Sequence, residues 1–228
     1  MHRIIAPSML SADFGRIGEV CAMLDGSAAD RIHLDILDGV FAPNISFGFP
    51  VCEAIAAASH KPLDIHLMIV HPEDYIERFA ALKGARYISV HIEACGGRLR
   101  KVLRQIRGLG LQAGIAINPE TPVESLIEYF GEFDFVMVMG VNPGYSGQAY
   151  IPETLERVGI ISEMAAAAEA SFFIEVDGGV GKSNIDDLQR AGATVFVSGS
   201  SVFRAPNPVA AIAELACCQD DMVPLVSR

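Results

Sequence analysis

Positive charge is scarce in this chain of 228 residues: 17 Lys and Arg stand against 28 Asp and Glu, a formal net charge of −11. Neutralising a phosphate backbone needs a basic face, so the composition argues against a nucleic-acid binder and against docking on anionic membrane surfaces. Long apolar runs are missing too. No stretch approaches the ~18 consecutive apolar residues of a membrane span. The short apolar run in MHRIIAPSML is broken by Pro7 and then Asp13, which speaks against a secretory signal. The five cysteines (Cys21, Cys52, Cys95, Cys217, Cys218) are odd in number and lack C-x-x-C spacing. Neither a disulfide framework nor a Cys-type zinc site is expected, and the chain reads as a reduced, cytoplasmic protein whose cysteines, the vicinal pair included, are buried and inert. Charge is sparse as well, at 20% of residues against 51% hydrophobic, which excludes disorder. No Gly/Ser/Pro-rich linker or charge block divides the sequence. One domain over residues 1–228 is expected, with a poorly ordered tail from about residue 219.

What is present is alternation. Short apolar runs rich in β-branched residues recur at Arg3–Ala6, Arg31–Ile36, Leu63–Met68, Tyr87–His91, Gln112–Ile117, Phe135–Met139, Phe172–Val176 and Thr194–Val197. Each is too short for a helix and reads as a buried strand. Helical stretches lie between them, with start signals at Pro72-Glu73-Asp74 and Pro152-Glu153 and a strong helix former in EMAAAAE, Glu163–Glu169. Eight strand–helix units in this length predict an α/β fold, a single (β/α)₈ barrel of eight parallel strands. The longest gap, between the sixth and seventh strands, holds VNPGYSGQAYIP. It is the natural place for a functional loop on the C-terminal face.

The strand ends carry the chemistry. In HLDILDG, His33 and Asp35 share one side of the second strand, and in DIHLM, Asp64, His66 and Met68 share one side of the third. EVDGG puts Asp177 at the tip of the seventh. Two His and two Asp from three strand ends can converge on one mouth, and imidazole nitrogen with carboxylate oxygen suits Zn²⁺, Fe²⁺, Mn²⁺ or Co²⁺ without choosing among them. His2, His60 and His71 fall outside strands and are expected on the surface. His91 ends the fourth strand and is a weaker candidate for a supporting or pocket role. Asp38, followed by Gly39, is expected to tie down its loop. Three glycine-containing loops follow strands six, seven and eight: NPGYSGQ, DGGVGKSN and VSGSSVF. Converging backbone N–H groups and a helix N-terminus can hold a phosphate without any cation. Lys182 and Arg204 lie near these loops and are expected as solvated surface charges.

PSMLSADF (Pro7–Phe14), HLDILDGVFAPN (His33–Asn44), DIHLM, VNPGYSGQ, EVDGGVG and VSGSSVF, in this order, resemble the ribulose-phosphate 3-epimerases, in register from about residue 4 to about residue 212. The resemblance implies the barrel, one divalent metal ion per subunit, and interconversion of D-ribulose 5-phosphate and D-xylulose 5-phosphate in the pentose phosphate pathway. Two aspartates would transfer the proton through a metal-stabilised enediolate. By this resemblance His33, Asp35, His66 and Asp177 are metal ligands, and Asp35 and Asp177 the acid/base pair. Ser8, His66, Gly144, Tyr145, Ser146, Gly147, Asp177, Gly178, Gly179, Gly199 and Ser200 contact the phosphorylated sugar, and Leu37, Met68 and Met139 line the pocket. A homo-oligomer is expected. Two positions depart from the family's habit, with Leu37 in place of Met and Gly140 in place of Ser or Thr. Leu conserves volume, and Gly140 is expected to loosen the loop beside it. A 3-epimerase of D-allulose 6-phosphate would share the motifs. A hexulose-phosphate synthase-type lyase, or a sensor that binds sugar phosphates without catalysis, would use only part of them.

Overall fold

A computed structural model describes residues 2–217; Cys218 and the tail from about 219 lie outside the described residues. The strands are β1 (Ile4–Pro7), β2 (Ile32–Leu37), β3 (Leu63–Met68), β4 (Ala85–His91), β5 (Gln112–Ile117), β6 (Phe135–Met139), β7 (Phe173–Asp177) and β8 (Val195–Ser198). They form one parallel sheet in the order β1-β8-β7-β6-β5-β4-β3-β2. The seam between β1 and β2 is narrower than the other pairings. It consists of a parallel bridge from Ser8 to His33 and hydrogen bonds from the Asp30 and Arg31 N–H groups to the Ile5 carbonyl. The sheet is thus the nearly closed α/β barrel that the alternation predicts.

The expected bounds of β3, β5 and β6 coincide with those observed. β7 runs one residue later than expected and ends on Asp177, because Gly178 takes φ 105 and leaves the extended region. β4 begins earlier, at Ala85, where Ala85 pairs with Leu63 beside an irregularity in register.

The connecting helices are α1 (Ile17–Asp25), α2 (Phe49–Ala58), α3 (Ile76–Ala80), α4 (Ile92–Cys95), α5 (Leu99–Gly108), α6 (Glu153–Ala167), α7 (Ile185–Ala191), α8 (Ser200–Phe203) and α9 (Pro208–Ala216); a 3₁₀ segment, Val123–Tyr129, fills the place between β5 and β6. α5 shows why they stay put. Its only large apolar residues, Leu99, Val102, Leu103 and Ile106, recur at helical spacing and are all buried, while Arg and Lys take the other side. Every second strand residue, such as Ile32, Leu34 and Ile36 or Leu63, Ile65 and Leu67, points outward into this layer and forms the main core.

The alternate residues fill the barrel. At its foot Phe135 stacks on Phe173 with centroids 4.9 Å apart and rings parallel within 1°. Tyr87 meets both edge-on at 6.2 and 6.1 Å. Gly114 on β5 makes the room: a Cβ there would lie 2.3 Å from the Phe135 ring. Cys21, Cys52 and Cys95 are buried, and burial pushes the Cys52 and Cys95 thiols up to about 12, leaving them unreactive. Cys217 departs from expectation and is exposed, because it follows the last turn of α9. Gly114→Ala is expected to lower stability by about 1–3 kcal/mol through overpacking. Combined with Phe135→Leu it should cost less than the two single changes summed, measured by urea unfolding.

Candidate active site

The C-terminal ends of β2, β3 and β7 bring His33, Asp35, His66 and Asp177 together, with one ligand atom from each lying within 4.8 Å of all the others. His33 Nε2 is 3.3 Å from Asp35 Oδ1 and 3.9 Å from Asp177 Oδ2. His66 Nδ1 is 3.3 Å from the same Asp35 oxygen and 3.4 Å from the same Asp177 oxygen. Both imidazoles are fully buried. Ser8 Oγ donates to the other Asp35 oxygen at 2.5 Å, so the bridge that closes the barrel seam also fixes this carboxylate.

Each histidine has a second nitrogen, and its partner decides which nitrogen keeps a lone pair for the cluster. His66 Nε2 lies 2.8 Å from His91 Nε2, and His91 Nδ1 lies 3.1 Å from Glu93 Oε2. Burial pulls His91 down to about 4, so it is neutral. With His91 neutral, it donates from Nδ1 to Glu93 and accepts from His66 Nε2, so Nδ1 is the His66 nitrogen that faces Asp35 and Asp177, a donor to them when protonated and a ligand atom when not. Glu93 is anchored in turn by the Asn118 N–H at 2.8 Å and by the Thr121 hydroxyl. On the other side, His33 Nδ1 faces Asp64 Oδ2 at 3.3 Å, which leaves Nε2 toward the cluster. Both His33 nitrogens are buried and neither makes a hydrogen bond among the described residues, so it is the 3.3 Å approach of Asp64 to Nδ1 that favours Nε2 as the nitrogen open to the cluster. Two imidazole lone pairs and two carboxylates meeting at one point are a fitting donor set for a divalent transition metal. In the protein alone, burial opposes charging of both histidines, but Asp35 and Asp64 outweigh it at His33, and Asp177 and Asp35 at His66; both are held above the ordinary value. For Asp35 burial is likewise outweighed, by His33 and His66, and its carboxyl is held far below the usual range.

Two residues beneath this cluster are not among those the sequence motifs pick out. Glu175 and Arg31 are buried with Asp64, and the Arg31 guanidinium lies 3.8 Å from Asp64 and 3.9 Å from Glu175, over the Tyr87 ring at 3.6 Å. Burial and the neighbouring Asp64 charge raise Glu175 well above the ordinary carboxylate value, so this pair holds a proton between them.

Above the cluster opens a cavity of about 330 Å³. Ser8, Asp35, Met68, Met139, Gly144, Tyr145, Ser146, Gly147, Asp177, Gly178, Gly179, Gly199 and Ser200 all line it. His33 and His66 lie below its floor. Leu37 is not among the lining residues: it is buried with Met68 and Ala42 and borders a separate cavity with Ile36, Asp38 and Phe47. The loop after β6 is clamped to the loop after β2 by Asn44 Nδ2 on the Gly144 carbonyl, 2.8 Å, and by the Tyr145 hydroxyl on the Pro43 carbonyl. Gly178 and Gly179, at φ 105 and 68, turn tightly; a Cβ on them would meet Val141 at 2.5 Å and Tyr150 at 2.7 Å. Gly140 does not loosen its surroundings. A Cβ there would lie 2.2 Å from the Gly178 carbonyl oxygen, and its N–H donates to the Asp177 carbonyl at 2.6 Å, so glycine lets β6 and the end of β7 close up. Asp38 ties loops together, accepting from Val40, Phe41 and Val70 N–H groups at 2.8, 2.8 and 2.9 Å. His2, His60 and His71 are at the surface. Lys182 pairs with Glu214 at the surface, and Arg204, exposed as expected, also lines the cavity.

Solved structures of similar shape include KGPDC from Streptococcus mutans (TM-score 0.70, 13% identity, 94% of this chain and 96% of that one covered). A 3-hexulose-6-phosphate synthase also matches (TM-score 0.66, 20% identity, 95% and 98% covered). At such identities the likeness shows the barrel fold alone. Sequence relatives are nearer. The ribulose-phosphate 3-epimerase of Synechocystis sp. is 45% identical over 211 residues, 92% of this chain and 91% of the relative. That of Bacillus subtilis is 40% identical over 212 residues, 92% and 97%. The model of the ribulose-phosphate 3 epimerase family matches residues 4–203. On that match and those relatives, the chain belongs to the ribulose-phosphate 3 epimerase family, a family of isomerases.

Proposed function

We propose that the chain inverts C3 of a ketose phosphate, interconverting D-ribulose 5-phosphate and D-xylulose 5-phosphate. The observation that carries this reading is the meeting of two aspartates from separate strands, Asp35 and Asp177, at the floor of a cavity whose other wall is a set of tight glycine turns. Relatives in Synechocystis, Bacillus subtilis and Mycobacterium tuberculosis carry the name of that activity. Inverting a carbon next to a carbonyl removes its proton from one face and returns a proton to the other, so one group cannot serve both faces. Asp35, steadied by Ser8, presents a carboxylate to one face of the substrate as base. Asp177, at the tip of β7, supplies the carboxyl for the opposite face, and the two exchange roles with the direction of reaction.

His33, Asp35, His66 and Asp177 would hold the divalent cation, Zn²⁺, Fe²⁺, Mn²⁺ or Co²⁺ by donor type. A cation held there supplies Lewis-acid stabilisation of the negative charge that develops on the substrate oxygens. Met68 and Met139 present apolar side chains to the reacting centre and keep water from it. The backbone of Gly178, Gly179, Gly199 and Ser200 receives the phosphate, with Tyr145 and Ser146 over it on the loop after β6.

The reading is tested by epimerisation of D-ribulose 5-phosphate, with D-allulose 6-phosphate alongside and metal content measured on the same sample. Turnover of the pentose that tracks bound metal supports it, and preference for the hexulose phosphate would overturn the substrate assignment. Asp177→Asn is expected to keep phosphate binding but to abolish exchange of the C3 hydrogen with solvent; substantial epimerisation by that variant would sink the two-base assignment. Glu93→Ala, which cuts the chain that orients His66, should weaken metal affinity by roughly 10–100-fold in a chelator competition, with Glu93→Gln weakening it less.

A further inference from the structure

The cavity holds two carboxylates, Asp35 and Asp177, and among the described residues its lining includes a single Lys or Arg, which is Arg204. Arg204 follows α8 and is exposed. Its guanidinium lies flat against the loop after β6: a Cβ on Gly147 would be 3.0 Å from Nη2, 3.1 Å from Nη1 and 3.2 Å from Cζ. Gly147, at φ 81 and without a side chain, leaves that approach open. Among the described residues no carboxylate pairs with this guanidinium; Lys61, Lys83, Arg86, Lys101 and Arg157 likewise lack a carboxylate partner, but none of those lines the cavity. Lys182, the other cation near the glycine loops, is taken by Glu214 and stays out of the cavity.

We propose that Arg204 is a phosphate-binding residue of this chain, adding a charged fork to the wall formed by Gly147, Gly178, Gly179, Gly199 and Ser200. This rests on the sugar-phosphate reading above. A phosphate held by backbone N–H groups alone meets partial charges. A guanidinium brings a full charge and two parallel donors, the geometry that phosphate oxygens accept best. In a protein of net charge −11 it also gives the mouth a local attraction for a dianion that the rest of the surface repels. Because Arg204 lies against the loop after β6, a bound phosphate would also hold that loop down.

The test compares wild type with Arg204→Gln, Arg204→Lys and Lys182→Gln. Binding of inorganic phosphate is measured by calorimetry at low and high salt, and KM and kcat are measured for D-ribulose 5-phosphate. Arg204→Gln is expected to weaken phosphate binding and raise KM by about tenfold, as for loss of a charged hydrogen bond, with kcat changed less than threefold. Arg204→Lys should recover part of the loss, and Lys182→Gln should match wild type. Salt should weaken phosphate binding to wild type more than to Arg204→Gln. Unchanged phosphate binding in Arg204→Gln would overturn the proposal. So would a fall in kcat at constant KM that Lys fails to rescue, since that marks a role in loop position only. Phosphate binding requires no turnover, so a chain that failed to epimerise the pentose would still reveal whether Arg204 holds phosphate.

Discussion

Buried charge is the constraint on which the rest of this barrel depends. Arg31, His33, Asp35, Asp64, His66, His91 and Glu175 are buried in one interior, with Asp177 at its upper edge. An isolated ion there would be prohibitively unfavourable, so each must have a partner or give up its charge. The interior meets that demand in layers. Arg31 and a shared proton settle Asp64 and Glu175 below. His91 stays neutral between His66 and Glu93. What cannot be settled internally is the upper group, where two imidazole nitrogens and two carboxylates aim at one point. A divalent cation at that point would relieve the crowding of these donors, which is why the fold suits the proposed metal site.

The acidic balance of the whole chain acquires a different meaning in this light. A net charge of −11 disfavours polyanionic partners, and nothing in the structure reverses that. A small dianion is another matter. It meets tight turns of backbone, and at the cavity mouth one cation that the acidic surface leaves unpaired among the described residues. On the proposed function, specificity for a sugar phosphate over larger anions would come from shape and from local field, with the surface setting solubility.

How much is legible in the sequence depends on whether period-two alternation governs the residue. It places His33 with Asp35, and Asp64 with His66, on the inner side of their strands, and the glycine-rich turns are visible as such. The same parity extends to Glu175, two residues before Asp177, and to Arg31, two before His33, but both sit deeper than the strand tips where a site is expected. The contact between His91 and Glu93 is not legible, since the chain passes from strand into α4 between them. Leu37 obeys the alternation yet is not among the residues lining the cavity; at the strand end it packs with Met68 and Ala42. Arg204 is beyond reach for a different reason: no periodicity tells where a long side chain after a four-residue helix will lie. Gly140 misleads because a missing side chain reads as slack, while here it is what permits close packing.

The contacts behind the two histidines turn Nε2 of His33 and Nδ1 of His66 toward the upper group. Nitrogen-15 NMR of the imidazoles in the Zn²⁺-loaded protein tests this orientation most directly, since bound, protonated and unprotonated ring nitrogens have distinct shifts. The expected spectrum shows His33 bound through Nε2 with a proton on Nδ1, and His66 bound through Nδ1 with a proton on Nε2. Binding of both histidines through the same type of nitrogen, or ring shifts that do not change when Zn²⁺ is added, would contradict it.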